Sequence, residues 1–193
     1  MRTAEELKQD IIYRTTLRGQ KLLFHSTWGL FSPRSVDNGS YLLIEHVEIE
    51  PHQQTLDLGC GYGVIGLSIA KANPTGVVHM VDKDFAAIEF AKKNAVINRI
   101  TNSEIYLSNG FSSVENVMFD NIVSNLPAKV GKELLYIFLS DARRHLRPDG
   151  QIVVVTISGL REFIKRNFME VFGNYKKVKQ GKTHTVARAV NDD

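Results

Sequence analysis

The stretch Leu56-Asp57-Leu58-Gly59-Cys60-Gly61-Tyr62-Gly63-Val64-Ile65-Gly66 decides the fold. An apolar strand runs into three alternate glycines and then into a helix, the form of a turn that receives a nucleotide-containing cofactor. Glycine suits such a turn because the backbone must reverse sharply and let a ligand lie against bare main chain, beside the free N–H groups of a helix N-terminus. Asp57, at the strand end, narrows the choice of cofactor. A carboxylate there repels a pyrophosphate but accepts, directly or through water, from the ammonium of a bound amino acid, which favours S-adenosylmethionine (SAM) over NAD. Gly61 to Gly66 also satisfies the G-x-G-x-x-G dinucleotide pattern, with Asp82 at a suitable spacing for a ribose, so an NAD oxidoreductase is the competing reading.

Outward from this turn, strand and helix patterns alternate for over a hundred residues. Strands are predicted near 54–58, 77–82, 103–108, 119–124 and 151–157, and helices near 64–72, 85–98, 131–145 and 159–172, the rhythm of a parallel sheet covered on both faces. Two last strands, near 174–179 and 183–190, are separated by little more than Gln180-Gly181 and should pair as an antiparallel hairpin. The sum is an α/β fold, a Rossmann-like seven-stranded and mostly parallel sheet. Ahead of it, Thr3-Ala4-Glu5-Glu6 has the pattern of a capping box opening a short helix. Gln20 to His25 reads as a strand ending in a turn through Trp28-Gly29, and the apolar residues from Tyr41 to Val47 suit a helix beginning at Ser40. Residues 1–193 are expected to be one domain, with 1–50 an N-terminal cap and lid and 51–193 the catalytic core.

Two further strand ends carry chemistry. Val77 to Val81 is a buried-type strand that delivers Asp82 to the end of the sheet where open α/β folds bind ligands, so its carboxylate is expected to accept both ribose hydroxyls, while Asp84 caps the next helix. Asn109 and Gly110 form a turn after the next strand, with an amide able to meet an adenine edge. Asp120 to Ser124 leads into Asn125-Leu126-Pro127. An amine or amide nitrogen with a delocalised lone pair needs its two hydrogens held so that the lone pair turns toward an electrophilic methyl. The Asn125 side-chain oxygen and the Leu126 carbonyl are candidates for those acceptors. Pro127 fixes its own φ and biases Leu126 to an extended shape. Lys129 and Lys132, just beyond, could meet phosphates flanking a flipped base.

The 193 residues are 43% hydrophobic and 23% charged, enough apolar material for a single core, with no window long enough to span a membrane. The first residues, Met1 to Glu6, carry acids where a signal peptide needs its apolar stretch, and Cys60 is the only cysteine, so a cytoplasmic protein without disulfides is expected. Cys60 has no second cysteine for a zinc site and reads as a small residue in a tight turn. The net charge of +3 is concentrated at the end: residues 161–193 hold 8 Lys and Arg against 4 Asp and Glu. That segment could dock a polyanion or simply be a solvated face.

Over nearly its whole length the chain resembles the RsmC-like methyltransferase small-domain group, whose members include ribosomal RNA guanine methyltransferases. The resemblance rests on Gly29-Leu30-Phe31-Ser32 with Asp37-Asn38-Gly39-Ser40-Tyr41-Leu42-Leu43, on the Leu56 to Gly66 stretch, on Asp82, and on Asn125-Leu126-Pro127 followed by Gly131-Lys132. It implies a SAM site made by Asp57, Gly59, Gly61, Gly63, Asp82, Asn109 and Gly110, and a lid from Phe31 to Ser40. It also implies transfer to the exocyclic amine of a guanine in structured RNA, with ribosomal RNA or a ribosomal subunit as partner. Leu126 and Ala128 stand where the family commonly has a second proline and a bulky or aromatic residue. Base stacking must then come from elsewhere, with Trp28, Phe24 and Phe111 as candidates, while Trp28 and Phe31 are expected to contact the substrate. Asn109 replaces a common acid, and the chain is expected to lack the duplicated N-terminal domain of the longer members. Glutamine methylation of protein and an idle SAM-binding scaffold are the alternatives.

Overall fold

The computed structural model describes residues 3–114, 117–127 and 131–192. Its elements begin with α1 (Ala4–Lys8), β1 (Ile11–Leu17), β2 (Gln20–Ser26) and α2 (Asn38–His46). The run β3 (Gln54–Leu58), α3 (Val64–Ala72), β4 (Val77–Asp82), α4 (Phe85–Ile97), β5 (Ser103–Leu107) follows. Then come β6 (Phe119–Asn125), α5 (Lys132–His145), β7 (Leu146–Ile157), a short 3-10 turn, α6 (Arg161–Phe172), β8 (Lys176–Gln180) and β9 (His184–Val190). Seven strands form one sheet in the order β5-β4-β3-β6-β7-β9-β8, in which β9 runs antiparallel to both of its neighbours and the other pairings are parallel.

The expected architecture is therefore present, and it creates the cleft. From β3 the chain winds to one side through β4 and β5, then crosses back to place β6 on the other side of β3. At such a reversal the loops leaving the two central strands diverge and leave a crevice between them. Register fixes what meets there. Asp57 pairs with Val123, so Asn125, two residues on, comes level with Gly59. Adjacent residues along β7 point to opposite faces: Val153 and Val155 join α2, α3 and α4 in one core, and Ile152 and Val154 join α5 and α6 in the other.

The N-terminal region contains a strand that the sequence pattern does not announce. β1 pairs along its length with β2 as a separate hairpin, closed by Arg18-Gly19, both with positive φ (48° and 73°), as a tight two-residue turn requires. The hairpin is fastened to α4 by two asparagines one helical turn apart. The Asn94 amide accepts from His25 N–H (2.8 Å) and donates to the His25 carbonyl (2.9 Å), and Asn98 does the same with Leu23 (2.9 and 2.8 Å). Four residues of helix rise about 6 Å, close to the roughly 6.8 Å spanned by two residues of strand. The two side chains can thus serve as a surrogate strand along β2.

At the first helix the expected capping box forms, with Glu6 N–H on Thr3 Oγ1 (3.2 Å) and Thr3 N–H on Glu6 Oε2 (2.8 Å). α2 starts two residues before the expected Ser40, because Asp37 caps it through Gly39 and Ser40 N–H (2.9 and 3.1 Å). β7 begins five residues earlier than predicted, at Leu146, since Arg147-Pro148-Asp149-Gly150 reads as a turn by composition.

Candidate functional site

A cavity of about 720 Å³ opens at the carboxyl ends of β3, β4, β5 and β6. Gly59, Gly61, Asp82, Asn109, Gly110, Asn125, Leu126, Pro127 and Phe31, all singled out from sequence, line it. Asp57, Gly63 and Trp28 do not: the first two lie behind the wall, and the Trp28 ring is covered by the Arg34 guanidinium at 4.6 Å. Lys129 and Ala128 lie outside the described residues, as does the side chain of Lys132.

The glycine turn is held by its neighbours. Gly59 and Cys60 N–H both donate to the Val81 carbonyl (2.9 Å each), Gly61 N–H donates to Asp82 Oδ2 (2.8 Å), and Asp84 N–H to Asp82 Oδ1 (3.0 Å). Gly59 and Gly61 have φ of 77° and 56°, and no atom of the described residues beyond the chain neighbours lies within 4 Å of where a Cβ would stand at either position. Bare main chain thus faces open space, as a ligand lying on the loop requires. The helix cap foreseen for Asp84 forms through Ala86 N–H (2.8 Å). Tyr62 pins the loop to the cap: its hydroxyl donates to the Ser32 carbonyl and lies 2.8 Å from that of Tyr13.

Behind the loop, Asp57 is fully buried. Its Oδ2 accepts from Gly66 N–H (2.7 Å), while Oδ1 has no hydrogen-bond partner among the described residues. Burial pushes its pKa up to about 7; the Gly66 N–H opposes this and the Asp82 charge adds to it. The open oxygen is buried behind the loop and not on the cavity wall, so any contact between Asp57 and a ligand in the cavity would have to be indirect. Cys60 is buried, and burial raises its thiol pKa well above the usual range; no metal-binding cluster occurs among the described residues.

At the tip of β6 the Asn125 Nδ2 donates to Ser40 Oγ (3.0 Å) and Asp37 Oδ1 (3.2 Å). A carboxylate only accepts, so the amide end facing Asp37 is the nitrogen, and the Asn125 oxygen is left for the cavity. Ser124 Oγ bonds the Leu58 carbonyl (2.7 Å) and Leu126 N–H bonds the Val155 carbonyl (3.0 Å), which ties this loop to both flanking strands. Across the cavity, Phe138 of α5 sits against Gly110, where a Cβ would come within 2.9 Å of its ring.

None of the three residues expected to replace the stacking platform, Phe24, Phe111 and Trp28, lines the cavity. Phe24 is buried in the core, and Phe111 is buried and stacked on His145 at 4.6 Å. Trp28 is turned to Arg34. Phe31 lines the cavity and is 71% exposed, free to cover a planar ligand. Asp37 and Ser40, which the family resemblance implies only as part of the lid, also line the cavity, and so do Phe138 and His184, for which the sequence carries no local signal.

Residues 21–188 match the family model described as the methyltransferase small domain. The uncharacterized protein YbxB of Bacillus subtilis is 36% identical over 90% of this chain and 88% of its own length. The ribosomal RNA small subunit methyltransferase C of Haemophilus influenzae is 34% identical over 77% of this chain and 46% of its own. Among solved structures, the Thermus thermophilus 16S rRNA N2 G1207 methyltransferase RsmC, in complex with AdoMet and guanosine, superposes with a TM-score of 0.85 at 28% identity. That match covers 93% of this chain and 50% of the solved one. This chain spans about half the length of the ribosomal RNA methyltransferases it matches.

Proposed function

The chain belongs to the methyltransferase small domain family, and on that premise we propose that it transfers a methyl group from SAM to the exocyclic amine of a guanine in ribosomal RNA. The observation that carries the reading is the Asn125 amide, whose oxygen is turned into the same cavity as the glycine turn. The cavity suits the cofactor on its own chemistry. Gly59 and Gly61 present bare main chain, Asp82 and Asn109 offer groups for a ribose and a purine edge, and Asp57 keeps a buried oxygen open behind the turn. Bound there, SAM supplies an electrophilic methyl on a sulfonium and leaves as the neutral thioether.

Asn125 Oδ1 and the Leu126 carbonyl accept the two amine hydrogens, which turns the nitrogen lone pair toward the methyl. One N–C bond forms as one C–S bond breaks, and the proton of the resulting ammonium passes to water. The nitrogen needs no strong base before transfer, since its product is far more acidic than its reactant. Phe31 covers the base face, and Lys129 and Lys132 meet flanking phosphates. A ribosomal RNA substrate implies a cytoplasmic site of action.

Two hydrogen acceptors serve a primary amide as well as an amine, so the test must separate the two. Purified protein is incubated with methyl-labelled SAM and ribosomal RNA, assembled subunits, or total protein from cells lacking the gene. Label in RNA that is released by nuclease as a methylguanosine supports the reading. Label in protein alone moves the assignment to glutamine-type chemistry.

A further inference from the structure

Asn125 is gripped by a segment 85 to 88 residues away in sequence. Asp37 is the N-cap of α2 and Ser40 its third residue, so both face the same side of the first turn. One carboxylate oxygen, Asp37 Oδ1, accepts from Gly39 N–H, Ser40 N–H and Asn125 Nδ2. The Asn125 amide cannot be turned over. Its oxygen would then meet a carboxylate oxygen at about the same 3.2 Å separation, acceptor against acceptor. Ser40 Oγ can donate or accept in general, but with the amide nitrogen fixed by Asp37 it must accept. The residue between them is constrained too. A Cβ at Gly39 would lie 2.9 Å from His184 Cδ2 and 3.0 Å from Asp37 Oδ1, so a larger residue there would have to push the His184 ring or the Asp37 carboxylate aside.

We propose that Asp37 and Ser40 are positioning residues for methyl transfer, holding the Asn125 amide in the one orientation that offers its oxygen to the acceptor amine. The proposal rests on the reading of Asn125 given above. It changes what the Asp37 to Ser40 segment does: the far end of the expected lid is an anchor, and Phe31 to Pro33 is the part left to cover the cavity. It also gives the spacing Asp-x-Gly-Ser a physical account, with a cap, a clearance and a second acceptor within one helical turn.

The test uses variants that keep the helix. Serine is as good an N-cap as aspartate but too short to reach Asn125, and alanine is comfortable at the position of Ser40. Asp37→Ser with Ser40→Ala should therefore leave the melting temperature and the affinity for S-adenosylhomocysteine near those of wild type. Turnover at saturating RNA should fall by about 10- to 100-fold, the range expected when a reacting group loses its alignment. Asp37→Asn alone, which keeps both the cap and an acceptor oxygen, should retain most of the rate. Independently of RNA, the Asn125 side-chain amide protons, identified by NMR through their loss in Asn125→Ala, should exchange slowly in wild type and rapidly in the double variant.

Rapid exchange in wild type overturns the proposal, as does an unchanged kcat in a double variant that has lost the protection. An equal fall in kcat for Asp37→Asn overturns it as well, since the negative charge rather than the orientation would then be what matters. Absence of methylation by wild type, with protection lost in the double variant as expected, removes the acceptor reading and leaves the grip on Asn125 standing.

Discussion

Replacing Asp57 by asparagine should set stability and cofactor affinity against each other. Asp57 is fully buried, with one oxygen that has no partner among the described residues, and burial pushes its pKa from the ordinary 3.8 up to about 7, with the Gly66 N–H opposing and the Asp82 charge adding. Between those two values the unfolded chain has released the proton and the folded chain has kept it. Stability therefore falls as pH rises through this window and levels off above it, by about 4 kcal/mol in total. The asparagine side chain would not titrate. Its oxygen can still accept from Gly66 N–H, while its amide nitrogen, lacking a partner, costs about 1–3 kcal/mol. The variant should thus be less stable than wild type near pH 4 and more stable above pH 7, with the curves crossing between.

Cofactor binding should move the opposite way. If the ammonium of the cofactor is drawn to the ionised carboxylate, about one molecule in ten is competent at pH 6, and affinity should be about tenfold below its plateau near pH 8. Urea denaturation across pH reads the first effect, and calorimetric titration with S-adenosylhomocysteine reads the second. Parallel stability curves for the two proteins would refute the burial argument. Equal affinity of Asp57→Asn and wild type at pH 8 would refute the assigned role.

Other substitutions probe other parts of the molecule. Asp82→Ala removes the acceptor for Gly61 and Asp84 N–H and the group proposed for the ribose; cofactor binding measured by calorimetry should weaken by about 1.5–3 kcal/mol. Phe31→Ala should raise the KM for RNA by an amount equivalent to about 1–3 kcal/mol of stacking, with S-adenosylhomocysteine affinity nearly unchanged. Asn94→Ala leaves His25 and Tyr62 backbone groups without these partners and should cost about 2–4 kcal/mol in urea denaturation, leaving the hairpin tied to α4 by Asn98 alone of the two asparagines. In Gly66→Ala the new Cβ would lie 2.4 Å from Met80 Cγ and Sδ; it should destabilise by about 1–3 kcal/mol, partly relieved when Met80 is also replaced by alanine.

The parallel sheet was legible because its central strands are buried on both faces and end in turns of marked chemistry, as Leu56 to Gly66 and Asp120 to Pro127 illustrate. β1 escaped because it is a half-exposed edge, with Ile12 pointing outward, and because Arg18-Gly19 has a non-glycine residue at positive φ. The cavity wall was legible where one strand end supplies it, at Gly59, Gly61, Asp82 and Asn125. Where two distant segments meet, single-sequence patterns carry no signal. Asp37 and Ser40 reach Asn125 only because α2 packs near the end of β6, and Phe138 and His184 come from helix and hairpin positions that look ordinary in isolation. Gly63 was grouped with the ligand-facing glycines, yet a Cβ there would press on Leu67 Cδ1 at 2.8 Å, so it serves the packing of α3. Trp28, the most conspicuous aromatic in the sequence, is occupied by Arg34 and is absent from the cavity wall.

The most direct test is nucleoside mass spectrometry of ribosomal RNA after incubation with SAM and either the wild-type protein or Asn125→Ala, the latter first shown to bind S-adenosylhomocysteine normally. Gain of a methylated guanosine with wild type, and its loss with Asn125→Ala, is the expected result. Equal modification by both proteins would contradict the role of Asn125, and a methyl group found on another nucleoside or on protein would contradict the guanine assignment.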